Sequence, residues 1–255
     1  MKDSLKIPMF IGLTYLFAWS WWVPMAISGT IVKPGVGWPT HLIGLMSPSL
    51  AALIVTYVFD KSTGIIHLLN RAKKVVVTKF SVTIVAVTAM CAFAPVLLLD
   101  SVDLKDLSRY SGAPEAGLLA IIVVLVLNGY GEELGWRGFL AHELLQKNSL
   151  IKTSTIIWAI WMPWHLPLFW VVQSYTEMGI FGFVGWAVSI YFGSVFLTWF
   201  YRYNSESVLV VVIWHVSYNY AVATDAAVGM TASIVSAGVI FLAIWAVRSD
   251  RASGL

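Results

Sequence analysis

A chain of 255 residues that is 59% hydrophobic and only 11% charged, with a net charge of +3, is far from a soluble domain, in which about a quarter of residues are charged. No polar stretch is long enough for a second fold, so one membrane-embedded domain over residues 1–255 is expected. The small positive charge implies no nucleic-acid partner, and the single cysteine, Cys91, excludes an internal disulfide.

About 20 apolar residues cross the hydrocarbon as a helix. Eight segments qualify: 7–28, 38–59, 81–99, 116–136, 153–173, 179–201, 207–224 and 229–247. The expected fold is an all-α polytopic membrane protein with about eight transmembrane helices. The first segment is longer than the 7–15-residue core of a signal peptide, and a retained anchor is expected although Ala26-Ile-Ser28 weakly resembles a cleavage site. An even number of crossings puts both termini on one side. That side gathers all but three of the 16 Lys and Arg residues, the exceptions being Lys33, Lys105 and Arg109. By the positive-inside rule the termini are expected to be cytoplasmic; an inner or plasma membrane is expected, and an endoplasmic reticulum membrane would give the same charge pattern.

Between the second and third segments, Ile65 to Lys74 mixes apolar and basic residues. It fits a short helix on an anionic leaflet and fits a solvated loop equally well. His67, His41 and His142 have no partner motif and read as surface residues. Pro24, Pro48 and Pro95 lie within apolar segments, where kinks are ordinary.

The fourth segment ends in Gly131-Glu-Glu-Leu-Gly-Trp-Arg-Gly138. An acidic side chain at the centre of a membrane helix costs about 2.5–3.5 kcal/mol on insertion scales, so two in succession need a reason. Glu133 and Arg137 are spaced i,i+4 and can pair on one face. Adjacent helical residues point about 100° apart, which leaves Glu132 the freer carboxylate and the candidate general base. A structural Glu–Arg clamp at the membrane edge accounts for the same residues. Gly131 and Gly135 bracket the pair and would admit a neighbouring helix or a substrate backbone.

In the fifth segment His165 lies between Pro163 and Pro167. Each proline lacks an N–H and unpairs a carbonyl one turn earlier, so distorted helix is expected beside the histidine. Trp161, one turn before, is a candidate pocket wall; Trp158 and Trp170 read as interfacial anchors. In the sixth segment Gly185, Ser189 and Gly193 recur every four residues. That spacing lets helices approach closely, within the chain or between copies. In the seventh, His215 and Asn219 project from one face; both can donate hydrogen bonds and suit an oxyanion site, or a polar contact between helices. Counted at 1.5 Å per residue from the predicted boundaries, Glu132, His215 and His165 lie about 6, 12 and 18 Å deep. The catalytic candidates are thus expected to converge in a cavity in the cytoplasmic half.

These three elements together resemble the CAAX prenyl protease and bacteriocin-processing (Abi) family. Glu132 to Gly138 looks like its Glu-Glu-x-x-aromatic-Arg-Gly motif, Trp161 to His165 like its aromatic residue four before a histidine (Phe is also common there), and His215 to Asn219 like its His-x-x-x-Asn. The resemblance covers residues 130–220; residues 1–110 rest on hydropathy alone. It implies an eight-helix, metal-independent intramembrane glutamate peptidase. Glu132 would activate water with His165 assisting, His215 and Asn219 would stabilise the oxyanion, and Glu133 and Arg137 would support them. It also implies a peptide or prenylated-protein substrate and no cofactor. A zinc site built from Glu132, His165 and His215 is a minority alternative. A non-catalytic immunity or peptide-binding protein is the main alternative from another class, followed by an ion-coupled transporter, which the lack of an internal repeat disfavours.

Overall fold

The computed structural model describes residues 3–98, 102–115, 118–227 and 230–253. Among them there are only helices, turns and isolated bridges, and no strand. The helices are α1 (Lys6–Ile27), α2 (Leu42–Leu45), α3 (Ser47–Lys73), α4 (Lys79–Cys91), α5 (Ala94–Leu98), α6 (Leu118–Glu133), α7 (His142–Leu145), α8 (Leu150–Trp164), α9 (Gln173–Thr176), α10 (Gly179–Tyr203), α11 (Val208–Ala223) and α12 (Met230–Ser253). A π-helix, Leu134–Ala141, joins α6 to α7, and a 3-10 helix, Leu166–Trp170, follows α8. Each of the eight expected segments is occupied by helix. The chain is an all-α polytopic membrane protein.

Four stretches are long and apolar enough to cross a membrane by length and composition: Lys6–Ile27, Leu42–Lys73, Gly179–Tyr203 and Thr231–Arg251. The other four expected segments are interrupted or short, each for a local reason. A turn at Ala92 and Phe93 splits α4 from α5 ahead of Pro95. The π-helix follows the glutamates, and Pro163 and Pro167 flank the end of α8. Helix α11 has 16 residues and starts at an N-cap, where the Ser207 side chain accepts from Val210 N–H.

Helix α3 has 27 residues, about 40 Å at 1.5 Å per residue and so longer than a hydrocarbon core of about 30 Å. It is broken at Lys61, whose φ is 57° and ψ −156°. There the turns approach so closely that a Cβ on Gly64 would lie 2.3 Å from Asp60 Cβ, so only glycine fits. Beyond the break the chain stays helical to Lys73, with His67 exposed, which decides for a helix over a loop in this segment. Pro48 causes no kink, since it lies in the first turn of α3 after a break at Met46.

Two sets of contacts define the ends of the bundle. At the basic end Lys6 pairs with Asp60 (2.7 Å), His142 with Glu206 (2.9 Å) and Arg202 with Asp250, while Lys74 donates to the Ser205 carbonyl. At the other end backbone bridges join Val32 to Val172, Pro34 to Ser111 and Tyr110 to Thr224, and Arg109 pairs with Asp225 (2.6 Å). The start of α1 and the end of α12 share the basic end, as an even number of passes requires.

Two side-chain expectations are corrected, those for His41 and for the Gly185 and Gly193 stripe, and Trp158 gains a contact within the bundle. His41 is buried under the far-end loops: a Cβ on Gly112 would lie 2.8 Å from its Nδ1, and its carbonyl accepts from Trp22. Trp158 donates to the Ala187 carbonyl (3.2 Å) and meets Tyr191 edge-on, so it braces α8 against α10. Gly185 and Gly193 face open space among the described residues, so neither serves close packing within the chain.

Candidate functional site

The two glutamates close α6, and the next eight residues wind as a π-helix. Such segments are rare and are frequently found at functional sites. The helical rod therefore runs on to Leu145, and Glu132 is near its middle. Hydropathy does not register this continuation of the helix beyond the glutamates.

The site is packed against the junction of α2 and α3. A Cβ on Gly131 would lie 2.9 Å from the Leu45 carbonyl oxygen, and one on Gly135 would lie 2.5 Å from the Pro48 carbonyl oxygen. The two glycines thus admit a neighbouring backbone, one of the two uses expected of them.

Glu133 and Arg137 form the expected pair, Nη1 to Oε1 at 2.9 Å, with both side chains fully buried. A lone buried charge would be untenable; a hydrogen-bonded pair is not. The same Oε1 lies 2.6 Å from His215 Nδ1. Arg137 also stacks over the Trp161 ring, with the guanidinium carbon 4.7 Å from its centroid. Glu133 therefore holds a cation on one side and a site histidine on the other.

Glu132 is engaged differently. Its Oε2 accepts from the Trp161 indole N–H at 2.9 Å, and no hydrogen bond to its Oε1 is described. Trp161 is reached from three sides. Its carbonyl is 2.7 Å from His165 Nδ1, its ring lies 5.6 Å from the His165 ring, and it meets the His215 ring edge-on at 6.2 Å.

The local fold explains the His165 contact. Helix α8 ends at Trp164, where the regular i→i+4 bonding of its last carbonyls stops. The His165 amide bonds to the Met162 carbonyl, so the Trp161 carbonyl is left for the His165 ring. A carbonyl can only accept, so Nδ1 carries the proton and Nε2 of the neutral ring is an acceptor. The neighbouring Ile160 and Trp164 carbonyls accept from Tyr15 and Trp19 of α1.

Asn219 lies one turn beyond His215, is partly exposed and has no side-chain hydrogen bond among those described. Glu132, Glu133, Arg137, Trp161, His165 and His215 are all buried. Other residues of the neighbourhood were not singled out in the sequence. Asn128, one turn before Glu132, is buried with an unpartnered amide nitrogen; a lone amide in an apolar run was its only signal. Trp186 packs edge-on against His165 at 5.6 Å. Tyr110, from the far-end loop, has its hydroxyl pushed well above its ordinary range by burial, with further contributions from Tyr175 and Glu132, so this loop reaches within electrostatic range of the glutamate. Nothing in the sequence marked that reach. An open apolar groove of about 470 Å³, lined by residues including Trp19, Val23, Leu166, Pro167 and Trp170, begins one residue past His165.

Residues 114–221 match the family model described as type II CAAX prenyl endopeptidase Rce1-like. Over this segment the chain is similar to the CAAX prenyl endopeptidases. A curated relative, CAAX prenyl protease 2 of Methanococcus maripaludis, is 30% identical over 126 residues. That match covers 48% of this chain and 46% of the relative, so the chain spans about half the relative's length. The family segment contains every side chain of the site, from Asn128 through Asn219, while α1 to α3 supply packing around it.

Proposed function

We propose that this protein is an intramembrane endopeptidase in which Glu132 activates water against a peptide bond. The observation that carries the reading is Trp161, which joins Glu132, His165, Arg137 and His215 from segments far apart in sequence. The family match over the same residues supports it.

In this mechanism Glu132 takes a proton from water, with His165 Nε2 as a second acceptor, while the water oxygen bonds to the scissile carbonyl carbon. The oxyanion that forms is held by Asn219 and His215. With His215 Nδ1–H donated to Glu133, a donor on Nε2 makes the ring an imidazolium, whose charge the Glu133 carboxylate balances. As the tetrahedral species collapses, the C–N bond breaks and the proton passes to the leaving amine. The reaction needs no metal. The basic end faces the cytoplasm, and peptides enter from that side or its leaflet. The substrate is a peptide at a membrane-proximal or C-terminal bond, and the apolar groove past His165 suits an attached isoprenoid chain.

The test is cleavage of prenylated and unmodified peptides by the purified protein in liposomes, for wild type and Glu132→Gln, with and without a chelator. Cleavage by wild type alone, indifferent to chelator, is the expected result. Loss with chelator turns the reading to a metal enzyme. An inactive wild type whose Glu132→Gln form keeps its cellular role turns it to peptide binding or immunity.

A further inference from the structure

We infer that the Trp161 indole N–H is a positioning group for Glu132: it holds one carboxylate oxygen, Oε2, and so directs the other, Oε1, to the water. The inference rests on the peptidase reading above.

A carboxylate on a helix can swing about its terminal torsion, which is broad and roughly two-fold, so something must choose the oxygen presented to water. Here the choice is made by a single donor at 2.9 Å. The donor itself cannot turn away. Arg137 covers one face of the ring at 4.7 Å, Trp136 lies 6.4 Å off at a tilt, and the His165 and His215 rings stand at 5.6 and 6.2 Å. The Trp161 carbonyl is fixed too, by His165 Nδ1 at 2.7 Å. One residue thus orients both groups of the water-activating pair, the glutamate through its side chain and the histidine through its backbone. Phenylalanine fills the centre of this space but has no N–H. The choice of tryptophan at 161 is therefore chemical as well as steric.

The experiment replaces Trp161 by 3-benzothienylalanine, which has sulfur where the indole has N–H and otherwise keeps its shape, with Trp161→Phe alongside. The expected result is a kcat about 10- to 100-fold lower, the range found when a group orienting a reactive residue is removed. KM and melting temperature should be unchanged in the benzothienyl protein, since the lost contact acts on the transition state and not on binding. A readout independent of turnover is the ¹⁵N indole resonance of Trp161, which should move when Glu132→Gln replaces the carboxylate. A benzothienyl protein that cleaves at the wild-type rate, or an indole resonance indifferent to Glu132→Gln, overturns the inference and leaves the peptidase reading standing. A wild type that cleaves no peptide defeats that reading first, and the inference with it.

Discussion

Two histidines reach the site from different elements, and they are held in opposite ways. His165 caps the end of α8, and its Nδ1 bonds to a backbone carbonyl. His215 sits inside α11, and its Nδ1 meets a buried carboxylate that already carries Arg137. A neutral acceptor fixes the tautomer of the first ring and adds no charge. A charged acceptor fixes the second ring and also balances a proton on it. Under the proposed mechanism the same side chain would serve two duties, one as an acceptor beside Glu132 and one as a donor to an oxyanion. The difference lies in the partners, and the partners follow from backbone geometry at one place and sequence-distant pairing at the other.

Substitutions can separate the two arms. Glu132→Gln removes the group common to both and should lower the cleavage rate about 10²- to 10⁴-fold, the usual worth of general acid–base catalysis, as read from initial rates in liposomes. Glu133→Gln should strike the His215 arm most directly. It strands Arg137 without its counter-charge, and breaking a buried pair costs about 3–5 kcal/mol, measurable by denaturation in detergent. If the variant is as stable as wild type, the charged partner is not what distinguishes the two histidines. Gly135→Ala forces a Cβ against the Pro48 backbone and should cost about 1–3 kcal/mol, whereas Gly185→Ala meets open space and should change stability by less than about 0.5 kcal/mol.

The smallest effect lies away from both arms, at the basic end. Glu206 is held below the ordinary carboxylate range first by its hydrogen bond to His142, with the charges of His142, Arg71 and Lys74 adding to it. A depressed carboxylate stabilises the fold above its ordinary pKa, and the contribution disappears as pH falls through the folded value. Wild type should therefore exceed Glu206→Gln by less than about 1 kcal/mol near neutrality, and the gap should close as the pH falls through the carboxylate range.

Much of this arrangement was legible along the chain. The eight apolar runs, the Glu133–Arg137 spacing and the prolines around His165 each act over one or two helical turns, where sequence and geometry are tied by the helical repeat. The Glu133–His215 contact was not legible, because 82 positions separate its members and either could have paired locally. Trp161 was read as a wall because its ring is large; that its N–H meets Glu132 depends on how α8 docks against α6. The continuation of the helical rod past Glu133 was not legible because hydropathy marks where apolar residues stop, and Gly135 to Gly138 continue the rod without being strongly apolar. His41 was misplaced for the converse reason: loops at the far end bury it although nothing nearby in sequence does.

The π-helix makes the spacing within the first motif intolerant of length change. It keeps the helix wound through Leu134–Ala141 at a looser pitch, with the glutamates at its entrance and Arg137 inside it. Deleting one residue there would bring everything downstream round by roughly a quarter of a turn relative to everything upstream. Either the carboxylates would leave Trp161 and His215, or Gly138 would leave the Arg71 guanidinium that now donates to its carbonyl at 3.0 Å. A shift of reading phase acts on the whole segment at once, because its two ends are moored to different helices.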